Sequence, residues 1–389
     1  MRILFVIPYY LPAYSYGGPL ISVRHIGEEL VKRGHQVTVA TTDARDNHTR
    51  TDKLKERIKD VEVIRFRNLN NGLAKRFNLY TPFGFKRWIS RNIQEFDIVF
   101  IHDFFTYLTF LTGRYCQKRR VPYIIHPHGT LCPRRIQSRF RLIKRLLILF
   151  LRGTLKNSKY IFVLTGKERK DVESIDISAA PKIKIVPNCI NPDEILNLEK
   201  IDIKKHFQVP LKTKIIFYIG RIHYIKGIDI SLKVLREIKG KIDFRFVIIG
   251  SDEGEKGKLM RLSQKYGLDK NIIFAGLMVG KERFRFMKSC DLFLFTSRSE
   301  GLPMSIIEAG ALGLPQIISE NCNVPEVERY KAGYVFSLND IKGMSQKCVE
   351  ILTNKELSRQ LSKNGVAMVK SCFSRESIVE KICVRAGIS

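Results

Sequence analysis

Short apolar runs alternate with longer amphipathic stretches along the whole chain. "RILFVIP" near the start is a strand, Gly17-Gly18-Pro19 marks a loop, and "LISVRHIGEELVKRG", with apolar residues at helical spacing and Gly34 at its end, predicts a helix. "HQVTVAT" is the next strand, and "VEVIRF", "FDIVFIH", "VPYIIHPHG", "YIFVLT" and "IKIVPN" continue the series between helical segments. This is the pattern of a mostly parallel α/β sheet. A second cycle begins at "KIIFYIG" and runs through a helix near 228–238, "FRFVIIG", a helix near 256–266, "NIIFAG", a helix near 281–288, "DLFLFTS", a helix from about 304, and "PQIIS".

Two tandem α/β units suit a chain of 389 residues, longer than one compact domain usually runs. The sequence predicts an N-terminal domain over 1–188, a C-terminal domain over 189–370 and a final helix within 371–389, with the polar stretch from Pro187 to Lys214 leading into the second set of strands.

Charge changes the picture next. The formal net charge of +30 points to an anionic partner, which could be nucleic acid, an anionic membrane or an anionic substrate. From Phe104 to Lys167 there are fourteen Arg and Lys residues and no acid, so part of the excess is local. Within that interval, residues 134–156 combine repeated Arg and Lys with a long apolar series. Two readings are open: a segment lying in an anionic membrane interface, with basic side chains snorkelling, or a helix packed on its own domain with a basic edge. The first residues hold too short an apolar run for a signal peptide, and no stretch reaches the about 18 apolar residues of a spanning helix. The eight cysteines show no CxxC spacing and read as reduced residues of a cytosolic protein.

Ligands of open α/β sheets sit outside the carboxyl ends of the strands, which singles out the residues that follow each strand. "YIGRIHYIKG" places Arg221 and Lys226 after Gly220 and ahead of a helix, a set suited to a diphosphate, with a solvated basic loop as the alternative. His102 ends one strand, and His126 and His128 share the "HPHGT" loop. A hydrogen bond to a substrate hydroxyl and a fold-stabilising contact are both open for His102, and the histidines of that loop lack an evident third metal ligand. In "SRSEGLPMSIIEAGALGLP" Glu300 falls in the loop before a helix and Glu308 in its early turns. Carboxylates there could accept from sugar or ribose hydroxyls, and Glu308 sits in an apolar neighbourhood where it needs a partner.

These motifs resemble those of the retaining, nucleotide-sugar-dependent glycosyltransferases of family 4. The likeness rests on the Gly-Gly loop, "HPHGT", "PNCIN", "GRIHYIKG", "FAG" and the E-x7-E segment from Glu300 to Glu308, and it spans almost the full chain. It implies a GT-B fold: α/β, with two Rossmann-like α/β/α domains facing each other across a cleft, the N-terminal one binding acceptor and the C-terminal one binding nucleotide sugar. It further implies that the last helix returns to the N-terminal domain. Arg221 and Lys226 would then grip the donor diphosphate, Glu300 would hold hydroxyls of the transferred sugar, and Glu308 would bind the ribose. His102 would lie near the sugar and His126 and His128 on the acceptor side. Gly17, Gly18, Gly220, Gly301 and Leu302 would complete the donor pocket, and Ala275 and Gly276 would lie near the nucleobase. Two positions depart from the family pattern: Cys189 follows Pro187-Asn188 where glycine is common, and Pro303 stands where glycine is frequent.

The resemblance implies metal-independent hexosyl transfer, with the nucleotide sugar as substrate and neither cofactor nor metal. The favoured donor is a UDP-sugar, with GDP-mannose an alternative. The expected acceptor is a saccharide, as a polyprenyl-diphosphate-linked or surface-glycan (lipopolysaccharide or capsule) intermediate. The expected place is the cytoplasmic face of the membrane, held peripherally through residues 134–156. Alternatives are transfer to a small soluble acceptor and a basic nucleic-acid- or anionic-lipid-binding protein without catalysis. Nucleic acid is disfavoured, because no aromatic-interleaved platform accompanies the charge.

Overall fold

The computed structural model describes the chain apart from residues 15–17, 47, 73, 75–79, 134–135, 137–140 and 389, and the side chains of 141–143 and 145. Gly17 and most of 134–140 therefore lie outside the described residues. The chain divides into two compact units, Met1–Cys189 with Arg375–Ser389, and Ile190–Ser374. The breaks fall at 189/190 and 374/375, a few residues at most from the sequence-based 188/189 and 370/371.

The first unit is built on eight strands: β1 (Arg2–Val6), β2 (Gln36–Thr42), β3 (Lys55–Ile58), β4 (Val61–Phe66), β5 (Ile98–His102), β6 (Tyr123–His126), β7 (Tyr160–Val163) and β8 (Ile183–Ile185). Their order is β3-β4-β2-β1-β5-β6-β7-β8, parallel except for β3. The two-residue period of the strands divides their side chains between two cores. Leu4, Val6, Val99 and Ile101 meet Phe85, Leu108 and Leu155 on one face, while Ile3, Phe5, Ile98 and Phe100 meet Leu20, Val23 and Ile26 on the other. That second face is covered by the helix Gly18–Lys32 and by the C-terminal helix Arg375–Ala386, whose Ile378, Val379 and Ile382 join the same core. Arg375 reaches the buried Glu29 at 3.5 Å, and Lys159 Nζ donates to the carbonyl of Ala386 at 2.7 Å. Strand β3 was not anticipated, because "KERI" carries no apolar alternation. It is an edge strand paired antiparallel to β4, and its charged side chains suit an edge that must not recruit another chain.

In the second unit, β9 (Lys214–Ile219), β10 (Phe244–Ile249), β11 (Ile272–Gly276), β12 (Leu292–Phe295), β13 (Gln316–Ser319) and β14 (Gly333–Phe336) form a parallel sheet in the order β11-β10-β9-β12-β13-β14. The strand order reverses at β9, so the topological switch point of this sheet lies where Gly220 and Arg221 leave it. The helices Ile228–Ile238, Lys256–Lys265, Gly280–Met287 and Met304–Ala311 fall where the sequence predicts them. Two such α/β units fit the GT-B fold that the resemblance implies.

Cys189 avoids the backbone problem that glycine would solve. It is absent from the described residues with positive φ, and its amide donates to the Ser22 hydroxyl at 3.0 Å while the side chain is buried. All eight cysteines are free, and burial pushes the Cys189 thiol up to about 12, so it packs as a small apolar group.

Candidate functional site

The loop that leaves β9 is shaped by close backbone approaches. Gly250 brings β10 so near β9 that an added Cβ would lie 1.8 Å from the carbonyl oxygen of Gly220. At Gly227, with φ +65°, an added Cβ would lie 1.9 Å from the Thr296 carbonyl oxygen. Only glycine fits that left-handed turn, and it seats the loop on the end of β12, where Thr296 Oγ1 donates to the Gly227 carbonyl at 2.7 Å. As a result Lys226 points at the loop after β12.

There Lys226 Nζ lies 2.6 Å from Glu300 Oε1, and the Ser297 hydroxyl donates to the same oxygen at 2.7 Å. Lys226 and Glu300 side chains keep only 14% and 11% of their exposure. The Glu300 backbone is pinned as well, with Asn323 Nδ2 donating to its carbonyl at 2.8 Å. Helix Met304–Ala311 starts just beyond, with Pro303 extended at its N-cap. Glu308, on the first turns of that helix, is buried and ion-paired with Arg283 Nη2 at 2.5 Å. Sequence reasoning demanded a partner for Glu308 and did not find Arg283, which lies on the helix Gly280–Met287.

Arg221 is more open. Its Nη1 pairs with Glu253 at 2.8 Å, both side chains being largely exposed, and the Tyr218 hydroxyl donates to its carbonyl. Ala275 and Gly276 end β11, Gly276 with φ +74°. Gly301 and the buried Leu302 lie in the turn between Glu300 and the helix. The second unit thus brings Gly220, Lys226, Glu300, Gly301, Leu302 and Glu308 to the carboxyl ends of its central strands. A cavity of about 800 Å³ lined in part by Asp202, Lys205, Lys281 and Arg285 holds none of these residues. Lys281 and Arg285 share one side of their helix, and Arg283 points from the other.

Ion pairs with carboxylates as little exposed as these are costly to desolvate, and apolar replacements would often be as stable or more so.

In the first unit, β5 and β6 run side by side with His102 opposite His126 at their carboxyl ends. The turn beyond β6 places His128 at φ +52° and Gly129 at φ +76°, folding the third ring back onto the other two. His102 Nδ1 and His128 Nε2 are 3.0 Å apart, and the His126 and His128 rings stack with centroids 4.0 Å apart and planes at 21°. Burial holds His102 and His126 well below the usual imidazole range and brings His128 down to about 3. All three are neutral at neutral pH, able to donate or accept hydrogen bonds without a net charge. His102 Nε2, His126 Nε2 and His128 Nδ1 have no partner among the described residues. Three ring nitrogens lie within 4.8 Å of one another, but imidazole lone pairs lie in the ring plane, so the near-parallel stack would have to turn to converge on an ion.

Glu168, missed in the sequence, holds this turn. It is buried on the helix Gly166–Ile175 and accepts from the Gly129 amide at 2.5 Å and the Leu164 amide at 2.6 Å. Gly18 opens the helix Gly18–Lys32.

The helix Arg141–Lys156 resolves into two faces. Leu151 and Leu155 are buried in the core, whereas Leu146, Leu149 and Phe150 keep 57%, 66% and 72% of their exposure. One side of the helix therefore packs on its own domain, and the other faces outward. No helix among the described residues is long and apolar enough to cross a membrane.

A family model described as Glycosyltransferase Family 4 matches residues 16–194, and one described as Glycosyl transferases group 1 matches residues 199–368. The chain belongs to glycosyltransferase family 4. Among its relatives, an uncharacterized glycosyltransferase of Methanocaldococcus jannaschii is 24% identical over 84% of this chain and 82% of its own. The 2-deoxystreptamine N-acetyl-D-glucosaminyltransferase of Niallia circulans is 24% identical over 92% of this chain and 94% of its own. In structure, Anabaena HepE in complex with UDP and glucose superposes with a TM-score of 0.75 at 15% identity, covering 100% of this chain and 99% of HepE. At that identity the match establishes the fold of this glycosyltransferase.

Proposed function

We propose that this glycosyltransferase moves a hexose from a nucleotide-diphosphate donor, with a UDP-sugar favoured, to a saccharide acceptor, retaining anomeric configuration and using no metal. The observation that carries the reading is the pair of little-exposed carboxylates at the carboxyl ends of the second unit's strands, each held by a cation: Glu300 by Lys226 and the buried Glu308 by Arg283. In this account Lys226 and Arg221 take the charge of the departing diphosphate. Such electrostatic help counts most where water is scarce. Glu300 accepts from hydroxyls of the transferred sugar and Glu308 from the ribose. Glu300 is not asked to be a covalent nucleophile, and this separates the site from that of a glycoside hydrolase, where paired carboxylates flank the bond that breaks. The neutral imidazoles of His102 and His128 donate hydrogen bonds to oxygens of donor or acceptor; His126 supports them by stacking.

HepE's complex with UDP and glucose supports a UDP-sugar, and the Niallia circulans enzyme is named for transfer of N-acetyl-D-glucosamine. The exposed Leu146, Leu149 and Phe150 on a helix of an acid-free basic interval support an acceptor carried at an anionic membrane face, lipid-linked and of the surface-glycan kind. A small soluble acceptor is the second reading, favoured by the 2-deoxystreptamine named in that same relative.

Incubation of the protein with UDP-sugars and GDP-mannose in the presence of a metal chelator, with candidate acceptors added singly, tests the reaction. Transfer in chelator with the donor's anomeric configuration in the product supports it. Dependence on a divalent ion, or an inverted product, refutes the corresponding part.

A further inference from the structure

Glu308 is buried in apolar surroundings, and a lone carboxylate there would be poorly solvated. Arg283 answers that need from the neighbouring helix, yet it does so with one nitrogen on one oxygen, Nη2 to Oε1, where a two-pronged contact is available to a guanidinium. Oε2 of Glu308 has no hydrogen-bond partner among the described residues and is not sealed from solvent, and the guanidinium has no second acceptor there. Its plane is steadied instead by the Phe284 ring, 4.4 Å from the guanidinium carbon to the ring centroid. The pair therefore offers one open acceptor oxygen and spare N–H donors side by side.

A cis-diol has complementary needs, because each hydroxyl can donate to a carboxylate oxygen while accepting from an N–H. We infer that Arg283 is a positioning residue for donor recognition: it fixes Glu308 so that Oε2 is presented to the ribose diol, and the pair reads the 2′- and 3′-hydroxyls together. The inference rests on the proposed nucleotide-sugar reading of Glu308 and adds a residue that the E-x7-E segment does not contain.

The test measures calorimetric binding of UDP and 2′-deoxy-UDP to the full-length protein, and of GDP and 2′-deoxy-GDP should GDP bind more tightly, for wild type, Arg283→Gln, Arg283→Lys and Glu308→Gln. Thermal unfolding is recorded for each. Hydrogen bonds to charged groups are worth about a tenfold to hundredfold factor in affinity, so wild type should prefer the ribonucleotide by about tenfold or more. Arg283→Gln should lose most of that preference, weakening UDP while leaving the deoxy form little changed, and Arg283→Lys should recover part of it. If Arg283→Gln and Arg283→Lys both keep the wild-type preference, or weaken the two nucleotides equally, Arg283 acts only in the fold and the inference is overturned. If wild type itself does not distinguish the two nucleotides and Glu308→Gln binds both as wild type does, the ribose role of Glu308 fails, and this inference with it. Arg283→Lys retains the cation and keeps the test readable if the glutamine variant is unstable.

Discussion

Removing the Lys226 ammonium separates what the ion pair does for the fold from what it does for the reaction. Glu300 would be left about nine-tenths buried with only the Ser297 hydroxyl on its Oε1. Breaking a buried pair from one side costs about 3–5 kcal/mol, and the remaining exposure of this site brings the expectation toward about 2–3 kcal/mol. At about 2–4 °C per kcal/mol for a unit of this size, Lys226→Ala should lower Tm by roughly 4–12 °C. Glu300→Gln placed on that background removes the stranded charge, because an amide needs hydrogen bonds but no counter-ion, and should recover more than half of the loss. Activity should not follow stability. Loss of a cation aimed at the leaving diphosphate is expected to lower kcat by about 100- to 1,000-fold, and the double variant should stay at that level or below it. Differential scanning calorimetry and steady-state transfer, run on wild type, both single variants and the double variant, give the two readouts. Near-wild-type kcat in Lys226→Ala would refute the role in leaving-group stabilisation. A double variant no more stable than Lys226→Ala would refute the claim that the pair is energetically buried.

The histidine cluster links stability to pH. Each ring is neutral in the folded protein and protonates near 6.5 when unfolded, so the unfolded state binds more protons as pH falls, and stability is present above about pH 6.5 and lost below it. With its value at about 3, His128 alone should remove about 2 kcal/mol between pH 7.5 and 5, and His128→Asn should flatten the Tm–pH curve over that range. Glu168→Gln replaces an oxygen that accepts from the Gly129 or Leu164 amide with a group that cannot accept; it should cost about 1–3 kcal/mol and lower kcat, seen in parallel unfolding and transfer assays. Exchanging Arg141, Lys144 and Arg145 for Gln should weaken binding to anionic vesicles by about 100-fold at low salt while leaving UDP affinity unchanged, and unchanged vesicle binding would favour the soluble-acceptor reading.

The sequence makes strands β1, β5, β6 and β9 legible as dense apolar runs bounded by loop residues, and β2 as an alternation of Val with Thr, and from them the two-unit α/β architecture follows. It hides β3, whose "KERI" holds its place through pairing with β4 and not through an apolar face. Glu308 announces that it must have a partner, but the partner lies 25 residues upstream on another helix, and only the packing of the two helices selects Arg283 from the basic residues of "GKERFRFMK". Glu168 is hidden for the same reason, 39 residues from the amide of Gly129 that it holds. The segment 134–156 reads as ambiguous because its helix has two apolar sides, one filled by the core through Leu151 and Leu155 and one left outside through Leu149 and Phe150.

The central claim is that the second unit binds a nucleotide diphosphate through the groups around Glu300 and Glu308. Calorimetric titration of wild type and Glu308→Ala with UDP, GDP and ADP tests it most directly. The account predicts that one of the three binds wild type with a Kd of about 1 μM to 1 mM, in the range of enzyme substrates, and that Glu308→Ala weakens it tenfold or more. Absence of binding by all three nucleotides, or equal affinity in the variant, would contradict it.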